Sequence, residues 1–357
     1  MSQKNIVHVV GTGTIGEPLI GLLTHLQADL NIDEVTFHKN TPRRIDSPKL
    51  AALVRDGARL AADKDRWDGF KEIGLEPSLE SEEAIRRASV VIDCTPEGVG
   101  RKNKTKYYEN YLDNTQGFIA QGSEFGFGKM YARGINDEVL IPGEDRFIQV
   151  VSCNTHNISV LLKTLGEDDK PNLGIQKADF VCLRRANDVS QDGGFVSSPQ
   201  VGKHKEGDFG THHARDAHLL FKTKGADLDL FSSAVKLNTQ LMHALWFHIT
   251  LDRDVTTEEV LSRFEANRRI ALTEKISTNS VFSFGRDHGY YGRILNQTVV
   301  SVPSVHVRRK REVVGFCFTP QDGNSLLSSV AAALWFMDPE TVDTRLDCLR
   351  PYMFQQV

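Results

Sequence analysis

Phe147-Ile148-Gln149-Val150-Val151-Ser152-Cys153-Asn154-Thr155 is an apolar, strand-type run that ends abruptly in a small polar residue, a cysteine and an amide. Beyond it, Ile158, Leu161, Leu162 and Leu165 recur at helical spacing. Cys153 is therefore expected where a strand gives way to the first turn of a helix. Unpaired backbone N–H groups and the positive end of the helix dipole lower a thiol pKa there, from ~8.5 toward about 6, which would leave it mostly ionised. The competing reading is a buried structural cysteine, since cysteine is among the most buried residue types. The polar neighbours Ser152, Asn154 and Thr155 weigh against a simple apolar pocket.

Upstream, the strand-like Ile6-Val7-His8-Val9-Val10 runs straight into Gly11-Thr12-Gly13-Thr14-Ile15-Gly16, and a helical run follows from Pro18 to Leu26. Placed between a strand and a helix, this GxGxxG spacing points to a dinucleotide site. Its glycines allow a tight turn and bring backbone N–H groups to a pyrophosphate at the helix N-terminus. The alternative is a glycine-rich turn with no ligand. Glu34-Val35-Thr36-Phe37-His38 should be the second strand. An NAD-preferring site places a carboxylate near that strand's C-terminal end to hold the ribose 2′-hydroxyl. Here Asp33 and Glu34 fall at the wrong end, and Lys39, Arg43 and Arg44 follow the strand without a carboxylate among them. That pattern favours NADP, with NAD possible, over a merely solvated basic loop.

Residues 47–89 read as largely helical. Val90-Val91-Ile92-Asp93-Cys94, ended by Thr95-Pro96-Glu97-Gly98-Val99-Gly100, and Gly117 to Gly122 read as further buried strands. Strands alternating with helices point to a parallel, doubly wound sheet of Rossmann type, whose ligands bind beyond the carboxyl ends of the strands. The loops at 95–100, 121–124 and 152–155 are then expected to face the same crevice as 11–16.

After Cys153 the texture changes. Lys177 to Arg185 reads as a strand, and a long polar loop runs from Ala186 to about Gly210. Thr211-His212-His213-Ala214-Arg215-Asp216 opens a helix, Leu237–Thr250 and Gln297–Val307 read as strands, and Ser325–Phe336 is a strongly apolar last helix. This predicts a mixed or antiparallel sheet in an α+β second domain.

The chain has 357 residues, enough for about two domains, and its 40% hydrophobic and 25% charged content is that of an ordinary globular protein. A net charge of −4 gives no reason to expect a nucleic-acid or membrane partner. No apolar segment approaches the ~18 residues that cross a bilayer, and the N-terminus lacks a signal-peptide pattern. Five cysteines, at 94, 153, 182, 317 and 348, are odd in number, scattered and without metal-type spacing, so no metal is expected and a reducing, cytoplasmic compartment fits.

The glycine loop, Cys94-Thr95-Pro96-Glu97-Gly98-Val99-Gly100, Gln121-Gly122-Ser123-Glu124 and Ser152-Cys153-Asn154-Thr155 occur in order. Arg184-Arg185-Ala186, Thr211 to Asp216 and Leu241-Met242-His243 follow them. Together they resemble the archaeal-type (type II) glyceraldehyde-3-phosphate dehydrogenases over nearly the whole chain. The resemblance implies a Rossmann domain from residues 1–152 and 312–357, a catalytic domain from 153–311, a homotetramer and a cofactor that is often NADP. It implies Cys153 as nucleophile and His243 as its base. Ser152, Asn154, Arg184, His212 and His213 fall on substrate or phosphate contacts. Gly11, Gly13, Thr14, Ile15, Gly16, Thr95, Pro96, Gly122 and Gln321 fall on the cofactor, and Lys39 beside its 2′-phosphate. The chain departs from the family at Val10, Thr12, Ser123, Phe125, His156 and Asn157, positions expected to line the pocket.

The implied chemistry is the phosphorylating oxidation of an aldehyde. A thiolate adds to glyceraldehyde 3-phosphate, the hemithioacetal gives hydride to the nicotinamide, and inorganic phosphate cleaves the resulting thioester, all reversibly. Arg184 with His212 and His213 would supply the anion site, and the Cys153 N–H or the Asn154 amide the oxyanion donor. Two other functions stay open: a related semialdehyde dehydrogenase or acyl-phosphate reductase, and a non-catalytic nucleotide-binding homologue.

Overall fold

The computed structural model describes residues 4–122, 124–189, 191, 193–320 and 322–357. The chain divides into two compact units: Met1–Lys129, Leu140–Val150 and Ser328–Cys348 form the first, and Met130–Val139, Val151–Leu327 and Leu349–Val357 the second.

The first sheet contains β1 (Ile6–Val10), β2 (Glu34–His38), β3 (Arg59–Ala62), β4 (Leu79–Glu80), β5 (Val90–Asp93), β6 (Gly117–Gln121), β7 (Lys129–Tyr131) and β8 (Phe147–Val150). Its eight strands lie in the order β4-β3-β2-β1-β5-β6-β8-β7, and the pairs from β4 through to β8 are parallel. Strands buried on both faces need near-continuous apolar runs, and β1, β5 and β6 are buried along their whole length. Helices α1 (Gly16–His25), α2 (Ser47–Arg55), α3 (Trp67–Glu72), α4 (Ser81–Arg87) and α5 (Val99–Lys106) connect them. The Rossmann-type parallel sheet is as the sequence predicts. Residues 47–89 are not: β3 and β4 interrupt the helices. Both are short and contain no β-branched residue, so they carry no strand signal of their own. Pairing with β2 and with each other holds them extended.

The second unit opens with α6 (Cys153–Leu165), whose N-cap Ser152 follows β8 after one intervening residue. Its sheet comprises β9 (Ile175–Arg184), β10 (Gln200–Val201), β11 (Leu230–Lys236), β12 (His243–Leu251), β13 (Ile270–Thr273), β14 (Thr298–Ser301), β15 (His306–Arg308) and β16 (Glu312–Thr319). Seven strands follow the order β10-β11-β9-β12-β16-β14-β13, and β15 pairs with β16. Parallel pairs (β9 with β11, β13 with β14) and antiparallel pairs (β9 and β16 with β12) make it mixed. Along β12 buried residues alternate with half-buried ones, which turns Leu245, Phe247 and Ile249 into a core shared with α6, α7 (His212–Lys222) and α8 (Thr257–Ala266). Helix α9 (Thr278–His288) packs Val281 into a smaller cluster with Met242 and Phe318.

Two predicted strands need correcting. Residues 237–242 are a loop: the β12 ladder with β16 ends at the pair His243 and Thr319, and the backbone bonds of Leu237 and Thr239 go instead to Arg184 and Ala186 past the end of β9. Gln297–Val307 is broken at Val302–Ser304, where Pro303 has no N–H to give to a ladder. The apolar helix α10 spans Gly323–Met337 and is not the last, since α11 (Val342–Leu346) follows it.

Candidate functional site

In the first unit the glycine loop follows β1, at the point where β2 and β5 flank it on opposite sides. Gly11 has φ +100°, and a Cβ there would sit 3.0 Å from the Cys94 carbonyl oxygen. A Cβ on Gly16 would lie 2.1 Å from the Gly11 carbonyl oxygen, so the helix approaches the loop more closely than any side chain permits. Among the described residues, nothing approaches the space over Gly13, no side chain caps α1 at Ile15, and the buried Thr12 hydroxyl has no partner. An orphaned hydroxyl and a cradle bare of side chains fit a dinucleotide pyrophosphate at the start of a helix.

The other expected cofactor residues vary. Gly122 follows β6 with φ +63°, its N–H given to the Val150 carbonyl. Pro96 is exposed, but Thr95 is turned inward, its N–H and hydroxyl both donated to Asp93. Gln321 lies outside the described residues, as does the departure at Ser123. Lys39 is not free of carboxylates: its Nζ is 2.7 Å from Asp46, a residue that follows the basic run. Glu124, quoted above within its motif, has a role that its sequence context does not show. It is buried, and its carboxylate accepts the N–H groups of Gly98 and Arg101, so the N-terminus of α5 is filled by the protein's own anion.

In the second unit Cys153 is the first residue of α6, as its sequence context predicts. The expected fall in its pKa is overturned. Burial pushes the thiol up to about 12; Asp322 adds to the rise, and Arg185 and Arg184 only partly oppose it. Desolvation is the largest of these effects and favours the neutral thiol. Asn324 Nδ2 donates to the Cys153 carbonyl at 3.0 Å. Asn154 accepts from the Thr319 hydroxyl at 3.1 Å, and its own Nδ2 has no protein acceptor among the described residues. Thr319 faces His243 across the β12–β16 ladder. No direct hydrogen bond joins Cys153 to His243 among the described residues; the link runs through Asn154 and Thr319.

His243 is buried, and burial with the two nearby arginines holds its imidazole well below the usual histidine range. Its Nδ1 accepts the backbone N–H of Arg185 at 3.0 Å. A neutral ring that accepts at Nδ1 carries its proton on Nε2. The exposed Arg184 ends β9 and exerts its charge on Cys153, His212, His213 and His243. His212 and His213 head α7 with ring centroids 4.0 Å apart, and both are kept neutral mainly by burial. Both ring nitrogens of His213 are buried and have no hydrogen-bond partner among the described residues.

Arg185 is a further residue the sequence reading passed over. Its guanidinium is almost fully buried, 2.9 Å from Asp188 and 3.2 Å from Asp322. The departures His156 and Asn157 do not line an open pocket. Both are fully buried; His156 Nδ1 bonds the Ser152 carbonyl at 3.0 Å, and Asn157 Nδ2 donates to Thr319 at 2.9 Å. Among the described residues no group of three or more His, Cys, Asp or Glu could hold a metal ion, and no helix is long and apolar enough to cross a membrane.

No family model matches the chain. A protein of Pyrobaculum calidifontis is 32% identical over 279 residues, covering 75% of this chain and 72% of its own length. One of Pyrobaculum islandicum is 28% identical over 320 residues, 85% of this chain and 83% of its own. One of Sulfolobus acidocaldarius is 29% identical over 310 residues, 84% and 83%. All three are named glyceraldehyde-3-phosphate dehydrogenase.

Proposed function

The chain belongs to the glyceraldehyde-3-phosphate dehydrogenase family, and from that premise we propose that it converts glyceraldehyde 3-phosphate and inorganic phosphate to 1,3-bisphosphoglycerate, reversibly, with NADP. The observation that carries the reading is the placement of Cys153 at the head of α6 beside an Asn154 amide that Thr319 fixes to the strand position of His243.

Cys153 Sγ adds to the aldehyde carbon, and the thiol proton ends on the aldehyde oxygen, giving a hemithioacetal. Asn154 Nδ2 and His243 Nε2–H are the donors for that oxygen as it gathers charge. When bound, the nicotinamide supplies the acceptor for the hydride that leaves this carbon. The hydroxyl proton leaves at the same step. The Nε2–H tautomer of His243 has no lone pair to take it, so we assign the base to His213, whose ring nitrogens have no partner among the described residues. In this reading His243 polarises the oxygen, whereas the family resemblance implies it as the base. Phosphate held by Arg184 and His212 attacks the thioester carbon, the C–S bond breaks to release the acyl phosphate, and the proton on His213 returns to the Cys153 sulfur to restore the thiol. The glycine loop and Lys39 would hold the dinucleotide.

We further assign the chain to a homotetramer in the cytoplasm. Support for self-association is the sheet face on which Val181, Phe231, Trp246 and Phe316 stand only half covered. Sedimentation velocity tests it: a monomer at micromolar concentration refutes it. The reaction is tested by NADP+ reduction with glyceraldehyde 3-phosphate, with and without phosphate, against semialdehydes of amino-acid synthesis. Phosphate-dependent turnover of glyceraldehyde 3-phosphate is expected. Turnover of a semialdehyde alone, or of nothing, would overturn the assignment.

A further inference from the structure

The end of β2 is more nearly balanced in charge than its sequence suggests. Lys39 is the first residue past the strand, its N–H bonded to the Ala61 carbonyl, and its Nζ lies 2.7 Å from Asp46 Oδ2. The other Asp46 oxygen is 3.1 Å from Lys49 Nζ. Lys49 comes from the first turn of α2, and its Nζ also donates to the Thr12 carbonyl at 3.1 Å and approaches Glu17 at 3.9 Å. Asp46 is thus the centre of a chain of contacts from the strand end to the middle of the glycine loop. The side chains of Lys39 and Asp46 are 19% and 16% exposed, so the pair is partly withdrawn from solvent yet open on one side. Arg43 and Arg44 stand exposed beside it, without an ion pair among the described residues.

We propose that Asp46 sets the choice between the two nicotinamide dinucleotides, holding Lys39 and Lys49 paired and taking the place of a 2′-phosphate. The inference rests on the dinucleotide reading of the glycine loop given above.

The physical argument concerns which anion the two lysines hold. A carboxylate beside the ribose accepts a hydrogen bond from a 2′-hydroxyl, which is the device of an NAD site. A 2′-phosphate brings its own negative charge to the same lysines. It must either displace Asp46 or sit next to it, and a like charge at close range weakens its binding. Lys39, held by Asp46, therefore does not bring its full charge to the NADP preference that a count of Lys39, Arg43 and Arg44 implies. The lysine pair keeps the Asp46 carboxyl below the usual carboxylate range despite its burial, so the carboxylate stays charged at neutral pH. Lys49 links this choice to the loop, because the cation that meets Asp46 also fixes the Thr12 carbonyl.

Asp46→Asn keeps the size of the side chain, removes its charge and frees both lysines. Asp46→Ser is the second variant, chosen because a short side chain at this surface turn cannot crowd its neighbours. The readout is equilibrium binding, measured by calorimetry with NADP+, NAD+, 2′,5′-ADP and 5′-AMP as probes, with a melting curve for each variant. Both variants should raise the ratio of NADP+ to NAD+ affinity by about ten- to a hundredfold, the worth of a charge-assisted contact. The ratio of 2′,5′-ADP to 5′-AMP affinity should move with it. An unchanged or lowered ratio in folded variants overturns the role of Asp46, whatever the wild-type preference. If neither the wild type nor the variants bind any of the four probes, the dinucleotide reading falls and this inference with it.

Discussion

The backbone N–H of Arg185 donates to Nδ1 of His243 at 3.0 Å, and this bond selects the tautomer of the neutral ring. It leaves the neutral ring with its proton on Nε2, a donor and not an acceptor. Turning the ring over would place a carbon against the amide and leave a buried N–H unpaired, at about 1–3 kcal/mol. Protonating Nδ1 would set two N–H groups against each other, in accord with a pKa held far below the usual range.

His243→Asn should therefore behave as the loss of an oxyanion donor, lowering kcat by about 10²–10³-fold while the cofactor still binds. The acid limb of the pH–rate profile should survive in this variant and disappear in His213→Asn, because the limb belongs to the base. The reverse pattern would return the base to His243.

Alkylation of Cys153 should be slow at neutral pH. With the thiol pushed up to about 12 by burial, its rate should climb roughly tenfold per pH unit and show no plateau between pH 6 and 8. Cys348, half-buried with its thiol pushed up to about 11, should compete for iodoacetamide, whereas Cys153→Ser alone should abolish aldehyde oxidation. A plateau near pH 6 would mean that a thiolate is already formed.

How much of this was legible in the sequence depended on whether the signal was local. The strand-to-helix position of Cys153 and the glycine loop after β1 are written in adjacent residues, and the structure places both as expected. The acidity of Cys153 is not local. It is set by burial and by Asp322, some 170 residues along the chain, and spacing around the cysteine contains neither. Asp46 was missed for a related reason: it lies past the basic run and returns on a short turn to meet Lys39. His156 and Asn157 stand out as departures from the family, yet helical periodicity alone does not say whether such residues face ligand or core. Here both face core, and Asn157 makes its contact with Thr319 through a strand from the far end of the unit.

Stability should fall as the pH drops below about 6.5. His8 is held down to about 3 and His156 to about 4, chiefly by burial, so both stay neutral in the fold while the unfolded chain protonates them. Between each folded pKa and 6.5 the unfolded state binds more protons, so each histidine withdraws up to about 1.4 kcal/mol per pH unit. Carboxylates with depressed folded pKa, Asp46 and Asp168 among them, lose their contribution only at still lower pH, as it falls through their folded pKa. Chemical denaturation at pH 7, 6 and 5 should show the decline, and His8→Asn should flatten it. A slope unchanged in that variant would place the acid sensitivity elsewhere.

Thr319 should matter to turnover although it is not expected to touch substrate. Its hydroxyl donates to Asn154 Oδ1 at 3.1 Å and accepts from Asn157 Nδ2 at 2.9 Å, which fixes the amide beside Cys153. Thr319→Val keeps the shape and removes the hydroxyl. The buried Asn157 amide then lacks its acceptor, which costs about 1–3 kcal/mol of stability. Asn154, no longer held, should lose its aim at the reacting oxygen, lowering kcat by about ten- to a hundredfold with KM for the aldehyde little changed. Thr319→Ser restores the hydroxyl without the methyl group and should recover most of kcat even if some packing is lost. If Thr319→Val and Thr319→Ser lose stability alike and both retain full kcat, Thr319 serves the fold alone and the Asn154 amide is positioned by something else.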